Sequence, residues 1–465
     1  MYENYSFLTN EKIKSDNNKT KLLCSKYNYF DLHDISIFFF ITLSFFIQYF
    51  SHILVSSSLL IISFLLTSLF IIYIGVSSRS IFHDLKIIKI DMLWLLALMV
   101  IIFSHTMTQL ESSNYINSLI SLFSFFLGVS LLIFSEKNSS SFRLSNKAII
   151  FFSLFYALSV WIQILSPSIY EHFLMLLSEN NALEIFEWAR AGKYYTGFSS
   201  NPAFTAGHIV SGIIMLVSNR KIIRSTKQYI TSSTLTIFLL LTLLMTGKRA
   251  HILFLLISLF LLYFLPFKGE KLAKRVLHMI IIGIIAIIII IMTFDVLRSI
   301  PVISRTIKTI LDLLAGKDVS SGRTKLYHHA WSLFKENPIM GIGWGNFKKT
   351  TLTMGLFEKE MEVHNIYLQL LCETGIVGFI SLLIPILTFL KLTLSSLRIE
   401  VQNSKKRSWL SLLYYSMGYQ MFFLLYGLTG NVLYDSNFLL MYFYCCTITS
   451  AYLLNGNINY NKNKV

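Results

Sequence analysis

Three features of the segment 322–378 have residue types and spacings that suit chemistry. Arg323 is a permanent cation, the turn 341–345 carries three glycines, and His364 is an imidazole just before an apolar run. An imidazole exchanges protons near neutrality, and a guanidinium group binds phosphate or carboxylate oxygens in a bidentate manner. Neither a lipid-facing helix nor a plain connecting loop requires this combination. The segment therefore predicts a site that joins proton transfer to anion binding.

A second group of basic residues lies upstream in the sequence TGKRAH at 246–251. Lys248, Arg249 and His251 occupy a very short turn between two apolar runs. Cations beside a membrane are costly unless they reach the headgroups or meet an anion. Arg249 either snorkels to the headgroups or binds a phosphate group. We favour anion binding because three basic side chains share so short a turn, with Lys248 and His251 as weaker candidates than Arg249.

The composition places these residues in a membrane protein. Of the 465 residues, 54% are hydrophobic, 15% are aromatic and only 14% are charged, which leaves too little polar surface for soluble domains. Apolar runs near the roughly 20 residues that span a bilayer recur along the chain. We predict an all-α polytopic membrane protein with about 12 transmembrane helices. The predicted spans are 35–53, 55–75, 91–108, 116–135, 148–167, 203–219, 230–246, 252–266, 276–294, 366–390, 409–428 and 437–454.

The distribution of Lys and Arg predicts how the chain is oriented. With this set of spans, the basic short loops and both tails fall on one side, so both termini are expected in the cytoplasm. The predicted organisation is a cytoplasmic tail at 1–34, a transmembrane domain at 35–454 and a cytoplasmic tail at 455–465. The first tail lacks the early apolar stretch and cleavage site of a signal peptide. External insertions are expected at 169–202 and 295–365.

The long external loop at 295–365, between the ninth and tenth spans, carries ten of the chain's 40 Lys and Arg residues. Two interpretations remain open: attraction to anionic lipid headgroups, or an electropositive funnel for an anionic substrate such as a lipid-linked diphosphate. Ser320 or Ser321 is expected to cap a helix that runs through Phe334, and Asn337-Pro338 is expected to end it.

The glycine turn at 341–345 also has two interpretations. It either folds the loop back against the membrane or brings its backbone N–H groups to a diphosphate. It lacks the Lys-Ser/Thr ending of a nucleotide-binding phosphate loop, so we exclude nucleotide binding. The external segments contain no Asp-x-Asp pair. Their nearest acidic cluster, Glu358, Glu360 and Glu362, is expected to form a solvated face, so neither a metal nor a cofactor is expected, and the four cysteines are not expected to form a disulfide.

Taken together, these residues resemble the O-antigen ligase and polysaccharide repeat-unit polymerase superfamily, membrane glycosyltransferases that use polyprenyl-diphosphate-linked glycans. The resemblance covers roughly 190–380 and is most specific over 322–378. The family pattern G-R-x-x-x-(W/Y)-x-x-A is similar to Gly322 to Ala330, and N-P-x-x-G-x-G-x-(G/N)-x-F is similar to Asn337 to Phe347. The closing pattern H-N-x-(Y/F)-L-x-x-L-x-E-x-G-x-x-G is matched by His364, Asn365, Tyr367, Leu368, Leu371, Glu373, Gly375 and Gly378.

Two upstream motifs depart from the family pattern. TGFSSNPAFTAG resembles a G-x-F-x-N-P-N loop but has Ala203 where Asn is common. TGKRAH resembles S/T-x-S-R-G-A, with Lys248 in place of Ser and Ala250 in place of Gly, while Arg249 keeps its place. The first 180 residues resemble the family only in being hydrophobic spans.

The resemblance implies separate roles for the candidate residues in the transfer of a glycan from a lipid diphosphate. His364 is expected to remove the proton of the acceptor hydroxyl, and Arg249 and Arg323 are expected to stabilise the departing diphosphate. Further substrate-binding candidates are Lys248, Arg190, Tyr327, Tyr367 and Glu373. The two tyrosines, like Trp331, either stack on sugars or pack in the interface belt, and Glu373 either pairs with an arginine or orients the site.

We therefore predict a metal-independent, inverting glycosyltransferase of the bacterial cytoplasmic membrane, with its site on the external face. Its expected partners are a polyprenyl-diphosphate-linked glycan donor, an acceptor glycan on a repeat unit or lipid core, membrane lipid and other polysaccharide-assembly proteins, with no nucleic acid. A repeat-unit polymerase is favoured over an O-antigen ligase because its chemistry needs one substrate type. The alternative is a polyprenyl-linked oligosaccharide flippase, against which stands the lack of repeated halves in the sequence.

Overall fold

The structure is a computed structural model, and it describes most but not all of the chain. The described residues are 32–49, 65–73, 85–107, 115–133, 139–175, 179–223, 225–267, 269–270, 272–281, 322–353, 360–402 and 409–454, together with residues 304, 307, 308, 311, 312, 315, 316 and 355. Within these ranges the regular elements are all helical, as the sequence predicts.

The helices follow the apolar runs of the sequence. In chain order they are α1 (Leu32–Tyr49), α2 (Leu85–Met107), α3 (Tyr115–Ile133), α4 (Arg143–Leu165), α5 (Pro167–Leu174), α6 (Glu179–Arg190), α7 (Pro202–Asn219), α8 (Thr226–Met245), α9 (Arg249–Phe264), α10 (Arg323–Glu336), α11 (Phe347–Thr353), α12 (Ile366–Gln402), α13 (Leu410–Tyr426) and α14 (Ser436–Leu454). A short 3₁₀ turn, Ser139–Phe142, leads into α4.

Five helical segments of the described chain are long and apolar enough to cross a membrane. They are Ser139–Leu165, Pro202–Asn219, Thr226–Met245, Ile366–Gln402 and Ser436–Leu454. Shorter apolar helical segments lie at Asp34–Phe46, Asp91–Ser104, Ile120–Ile133 and Arg249–Phe264. The protein is thus an all-α, multi-pass membrane protein. The count of twelve spans and the side of each terminus stay predictions, since spans 55–75 and 276–294 lie partly outside the described residues.

The centre of the bundle is α14. In its apolar window 89% of the residues are buried, and the helix packs against α1, α3 and α13. Close packing against α3 depends on Gly128, because a Cβ there would lie 2.1 Å from the Phe443 ring. Small residues of this kind let transmembrane helices approach one another. The last helices of the chain therefore form the scaffold on which earlier elements rest.

The long loop folds onto the start of α12. Its helix α10 begins at Arg323, with Gly322 in the N-cap position at φ 82°, and ends before Asn337-Pro338 as predicted. Ser320 and Ser321, the predicted caps, lie outside the described residues. Leu326, Ala330 and Leu333 of α10 are buried in a small core with Phe347 and Val363. This core holds α10 against α12.

Helix α12 is broken near its start. Gly375 has φ 62° and ψ −168°, which no helix contains. Such a break leaves main-chain N–H and C=O groups without partners in the helix, and buried groups of this kind must be satisfied elsewhere. Their partners lie in the long loop, in the glycine turn and in the residues just before it.

Candidate functional site

His364 lies in the last residues of the loop before α12, in an unusual backbone conformation. Its φ of 57° is the one positive value among the described non-glycine residues. The residues after it are fixed. The Asn365 side chain accepts the N–H groups of Tyr367 (3.0 Å) and Leu368 (3.2 Å), and the Ile366 N–H donates to the Gly427 carbonyl at 2.9 Å. His364 therefore has a strained backbone conformation, and the next residue, Asn365, caps the N-terminus of α12.

The charges around His364 are mostly positive. Burial first, and the Arg323 guanidinium second, lower the pKa of His364 from its ordinary 6.5 to about 4. The Lys248 and Lys348 ammonium groups act in the same direction, whereas the Glu362 carboxylate opposes them. The imidazole is therefore neutral at pH 7, the form that accepts a proton. Three cations close to one neutral base also attract an anion.

Arg323 is the first residue of α10 and is half-buried. Its Nη1 donates a hydrogen bond to the Thr429 carbonyl at 3.2 Å. One turn later on the same helix, the Tyr327 hydroxyl lies 3.5 Å from the His364 carbonyl oxygen. This helix therefore brings both Arg323 and Tyr327 to the loop that carries His364.

Lys248 reaches the same region from the turn between α8 and α9. The turn packs tightly, because a Cβ on Gly247, whose φ is 70°, would lie 2.4 Å from the Lys193 carbonyl oxygen. The Lys248 ammonium lies 4.8 Å from the centre of the Tyr194 ring. Arg249, which follows directly, is the first residue of α9 and is half-buried. The turn that carries Arg249 thus supplies one of the charges that act on His364.

Two other basic candidates differ from these. Arg190 is the exposed last residue of α6, and the loop after α6 leads to Tyr194 beneath Lys248. His251 is 1% exposed, and its ring centre lies 4.1 Å from that of Tyr426. His251 is therefore enclosed by aromatic rings, whereas Arg190 lies at the surface.

The glycine turn has a structural role in the interior. The Ile342 and Gly343 N–H groups donate to the Cys372 and Glu373 carbonyls at 2.9 and 2.8 Å, and the Ile376 N–H donates to Pro338 at 2.9 Å. These bonds satisfy the groups that the break in α12 releases. This close approach of the loop backbone to the α12 backbone requires a glycine in each of the two segments. A Cβ on Gly341 would lie 2.4 Å from the Glu373 carbonyl carbon, and one on Gly375 would lie 2.2 Å from the Ile339 carbonyl oxygen.

The Glu373 carboxylate adds further hydrogen bonds to the joint, by which we mean the contact between the glycine turn and the broken start of α12. It is fully buried, and its Oε2 accepts the Gly345 N–H at 2.7 Å and a hydrogen bond from the Tyr434 hydroxyl. Its Oε1 accepts the Phe347 N–H at 3.0 Å and the Gln369 amide at 3.3 Å. Four donors together occupy both oxygens of this carboxyl group. Glu373 orients the turn.

Tyr367, another predicted substrate-binding residue, also has an internal partner. Its hydroxyl donates to the Leu424 carbonyl at 2.8 Å, which ties the first turn of α12 to α13. Trp331, by contrast, is 44% exposed on α10. Of the aromatic candidates, Tyr327 is the one that lies beside the His364 main chain.

Sequence reasoning missed the roles of Lys348 and Glu362. Lys348 Nζ lies 2.5 Å from Glu362 Oε1, and Asn431 donates to Glu362 Oε2. Burial opposes ionisation of Glu362, but Lys348 and the hydrogen bond from Asn431 hold its pKa below the ordinary value. The sequence contained a signal in the polar residues of GLTGNVLYD at 427–435, between the last two apolar runs on the predicted external side.

No metal site is evident in the described ranges. No group of three or more His, Cys, Asp or Glu residues there is placed to hold a metal ion. Of the acidic cluster considered from the sequence, Glu360 and Glu362 are described and Glu358 is not. Cys372, Cys445 and Cys446 are free thiols.

Comparison with known proteins finds a family similarity over the part of the chain that carries most of the candidate residues. The family model described as O-antigen ligase matches residues 234–383. This segment contains Lys248, Arg249, Arg323, Lys348 and His364. No curated protein matches the chain. The resemblance to the O-antigen ligase and repeat-unit polymerase superfamily is confirmed over residues 234–383, and this match supports a membrane enzyme of the O-antigen ligase type in polysaccharide assembly.

Proposed function

We propose that the protein is a metal-independent, inverting glycosyltransferase that moves a glycan from a polyprenyl diphosphate to an acceptor sugar hydroxyl on the external face of the bacterial cytoplasmic membrane. The observation that carries this proposal is the neutral, half-buried His364 surrounded by the charges of Arg323, Lys248 and Lys348. This arrangement provides a base and a cationic site for a diphosphate together.

The proposed chemistry is a single displacement. The His364 imidazole takes the proton of the acceptor hydroxyl as that oxygen forms a bond to the anomeric carbon of the donor. The bond from the anomeric carbon to the diphosphate oxygen breaks, and its electron pair leaves with the diphosphate. Attack opposite the leaving group inverts the anomeric configuration.

The cations have the complementary task. Arg323 and Arg249 bind diphosphate oxygens, and the Lys248 ammonium adds a nearby charge. These fixed positive charges stabilise the negative charge that develops on the leaving group, the task that a bound metal performs in many phosphate sites. The proposal therefore needs no metal ion. Arg190 and Tyr327 are proposed to contact the glycan at the edge of the site.

Within this class we favour a repeat-unit polymerase over a ligase. A polymerase joins two lipid-linked glycans of the same kind, so one type of substrate satisfies both halves of the site. A ligase needs a second, chemically different acceptor such as a lipid core. The proposed products are surface polysaccharides such as capsule or lipopolysaccharide chains, made on an undecaprenyl diphosphate carrier.

Deletion of the gene, with complementation by the wild-type chain, tests the function. Surface polysaccharide and lipid-linked glycans would be extracted and separated by length. Single repeat units without long chains support a polymerase. Long chains that remain on the lipid carrier support transfer but favour a ligase. Accumulation of lipid-linked units on the cytoplasmic side contradicts the proposal in favour of a flippase.

A further inference from the structure

The loop between α13 and α14, at 427–435, contacts the candidate site at three points. The Gly427 carbonyl accepts the Ile366 N–H at 2.9 Å, and the Thr429 carbonyl accepts the Arg323 guanidinium at 3.2 Å. The Asn431 amide donates to the Glu362 carboxylate. Two of these contacts, at Glu362 and Ile366, lie on either side of His364 in the sequence. The third is at Arg323, the cation with the largest effect on His364. We name this segment the α13–α14 loop.

The α13–α14 loop lies beyond residue 383, where the family match ends. It is held firmly by its own bonds. The Tyr434 and Asp435 N–H groups donate to the Asn431 carbonyl at 2.9 and 3.1 Å. Val432 and Leu433 are 1% and 0% exposed. A segment with a closed turn and buried side chains is a rigid support.

Glu362 connects the α13–α14 loop to the backbone around His364. Both of its oxygens are in use, one by Lys348 at 2.5 Å and the other by Asn431. Between Glu362 and His364 lies Val363, which is fully buried. A non-glycine residue at a φ of 57° has a strained backbone and persists only where its surroundings hold it. The bonds of Glu362 before His364 and of Ile366 after it provide that hold.

We propose that Asn431 is a positioning residue for the transfer reaction, which through Glu362 fixes the His364 imidazole relative to the Arg323 guanidinium. The α13–α14 loop then binds the base and the cation to one rigid segment and sets the gap in which the anomeric carbon lies. This inference rests on the proposed function. Asn431 does not touch the substrate; it acts through Glu362.

The test uses the full-length purified protein and lipid-linked repeat units extracted from the deletion strain, with release of polyprenyl diphosphate as the readout. Asn431→Ala should lower kcat at least tenfold, with a smaller change in KM, because misplacement of the base affects the transition state more than binding. Asn437→Ala is the matched control, a buried amide at the start of α14 whose main-chain N–H bonds to Asp435.

A second variant tests whether Glu362 acts on His364, the step through which Asn431 is proposed to work. Glu362→Gln keeps an acceptor for Asn431 but removes the one carboxylate that opposes the charges of Arg323, Lys248 and Lys348 at His364. The acidic limb of kcat/KM should therefore move to lower pH. An unmoved limb would show that Glu362 does not act on His364.

The outcomes are distinct. If His364→Ala transfers glycan at the wild-type rate, the proposed function fails. If His364→Ala is inactive while Asn431→Ala has wild-type kcat, the inference alone fails. If Asn431→Ala does not fold, Glu362→Gln decides, and an unchanged pH profile with wild-type kcat overturns the inference.

Discussion

The buried carboxylate of Glu373 should be essential for the joint between the glycine turn and the broken helix α12. We predict that Glu373→Gln destabilises the protein strongly, although it only replaces one carboxylate oxygen with an amide nitrogen. The carboxylate accepts four hydrogen bonds, two at each oxygen, from Gly345, Phe347, Gln369 and Tyr434. A glutamine amide nitrogen in place of either oxygen faces two donors and accepts from neither.

The magnitude follows from the donors that lose their partner. A buried donor without an acceptor costs about 1–3 kcal/mol. The Tyr434 hydroxyl is able to turn and accept from the amide, whereas a main-chain N–H is not. The substitution therefore leaves one or two donors unsatisfied, and the expected loss in the free energy of unfolding is about 2–4 kcal/mol.

Thermal unfolding of the purified protein in detergent, followed by tryptophan fluorescence, measures this loss. The Trp344 ring stacks on Tyr434 with 4.2 Å between ring centres, so it reports directly on the joint. Glu400→Gln is the control, a carboxylate buried on the same helix, where the Tyr452 hydroxyl lies 3.5 Å from one oxygen. An equal fall in melting temperature for the two variants would refute the assignment of Glu373 as the acceptor that holds the turn.

The remaining predictions concern the backbone and the pH dependence. Gly375→Ala should lower the free energy of unfolding by about 1–3 kcal/mol more than Gly269→Ala, because the new Cβ would lie 2.2 Å from the Ile339 carbonyl oxygen. Gly269 is the control, since it has a similar φ of 60° and nothing in the described chain lies within 4 Å of a Cβ placed there. Equal melting temperatures for the two variants would contradict this prediction. The acidic limb of kcat/KM should lie near pH 4, because activity falls as a proton occupies His364. Lys348→Ala should move that limb to higher pH, since it removes a charge that lowers the imidazole pKa, and an unmoved limb would count against the arrangement.

Much of the fold was predictable because its cause is local. Apolar runs of membrane length predict helices wherever they occur, and the structure has helices at each predicted span that it describes. Helix α10 ends before Asn337-Pro338 because proline restricts the residue that precedes it. Arg323, Lys248 and His364 were chosen as candidates because their residue types are unusual beside a membrane.

The rest depends on contacts between distant parts of the chain. The turn at 341–345 shows its glycines in the sequence, but not that they are required by the backbone of α12. Glu362 had the pattern of a solvated acidic face, and only the fold places Lys348 and Asn431 against it. Tyr367 and Glu373 were predicted to bind substrate, and the structure gives both internal partners, which no local pattern reveals.

The central claim is that one neutral imidazole and nearby fixed cations transfer a lipid-linked glycan without a metal. It is tested most directly by transfer with purified protein in excess EDTA, using wild type, His364→Ala and Arg323→Ala, with His328→Ala and Lys325→Ala as controls exposed on α10. We predict full wild-type and control activity, with a loss of about 100-fold or more in the two site variants. Wild-type rates in His364→Ala, or abolition of wild-type transfer by EDTA, would contradict the account.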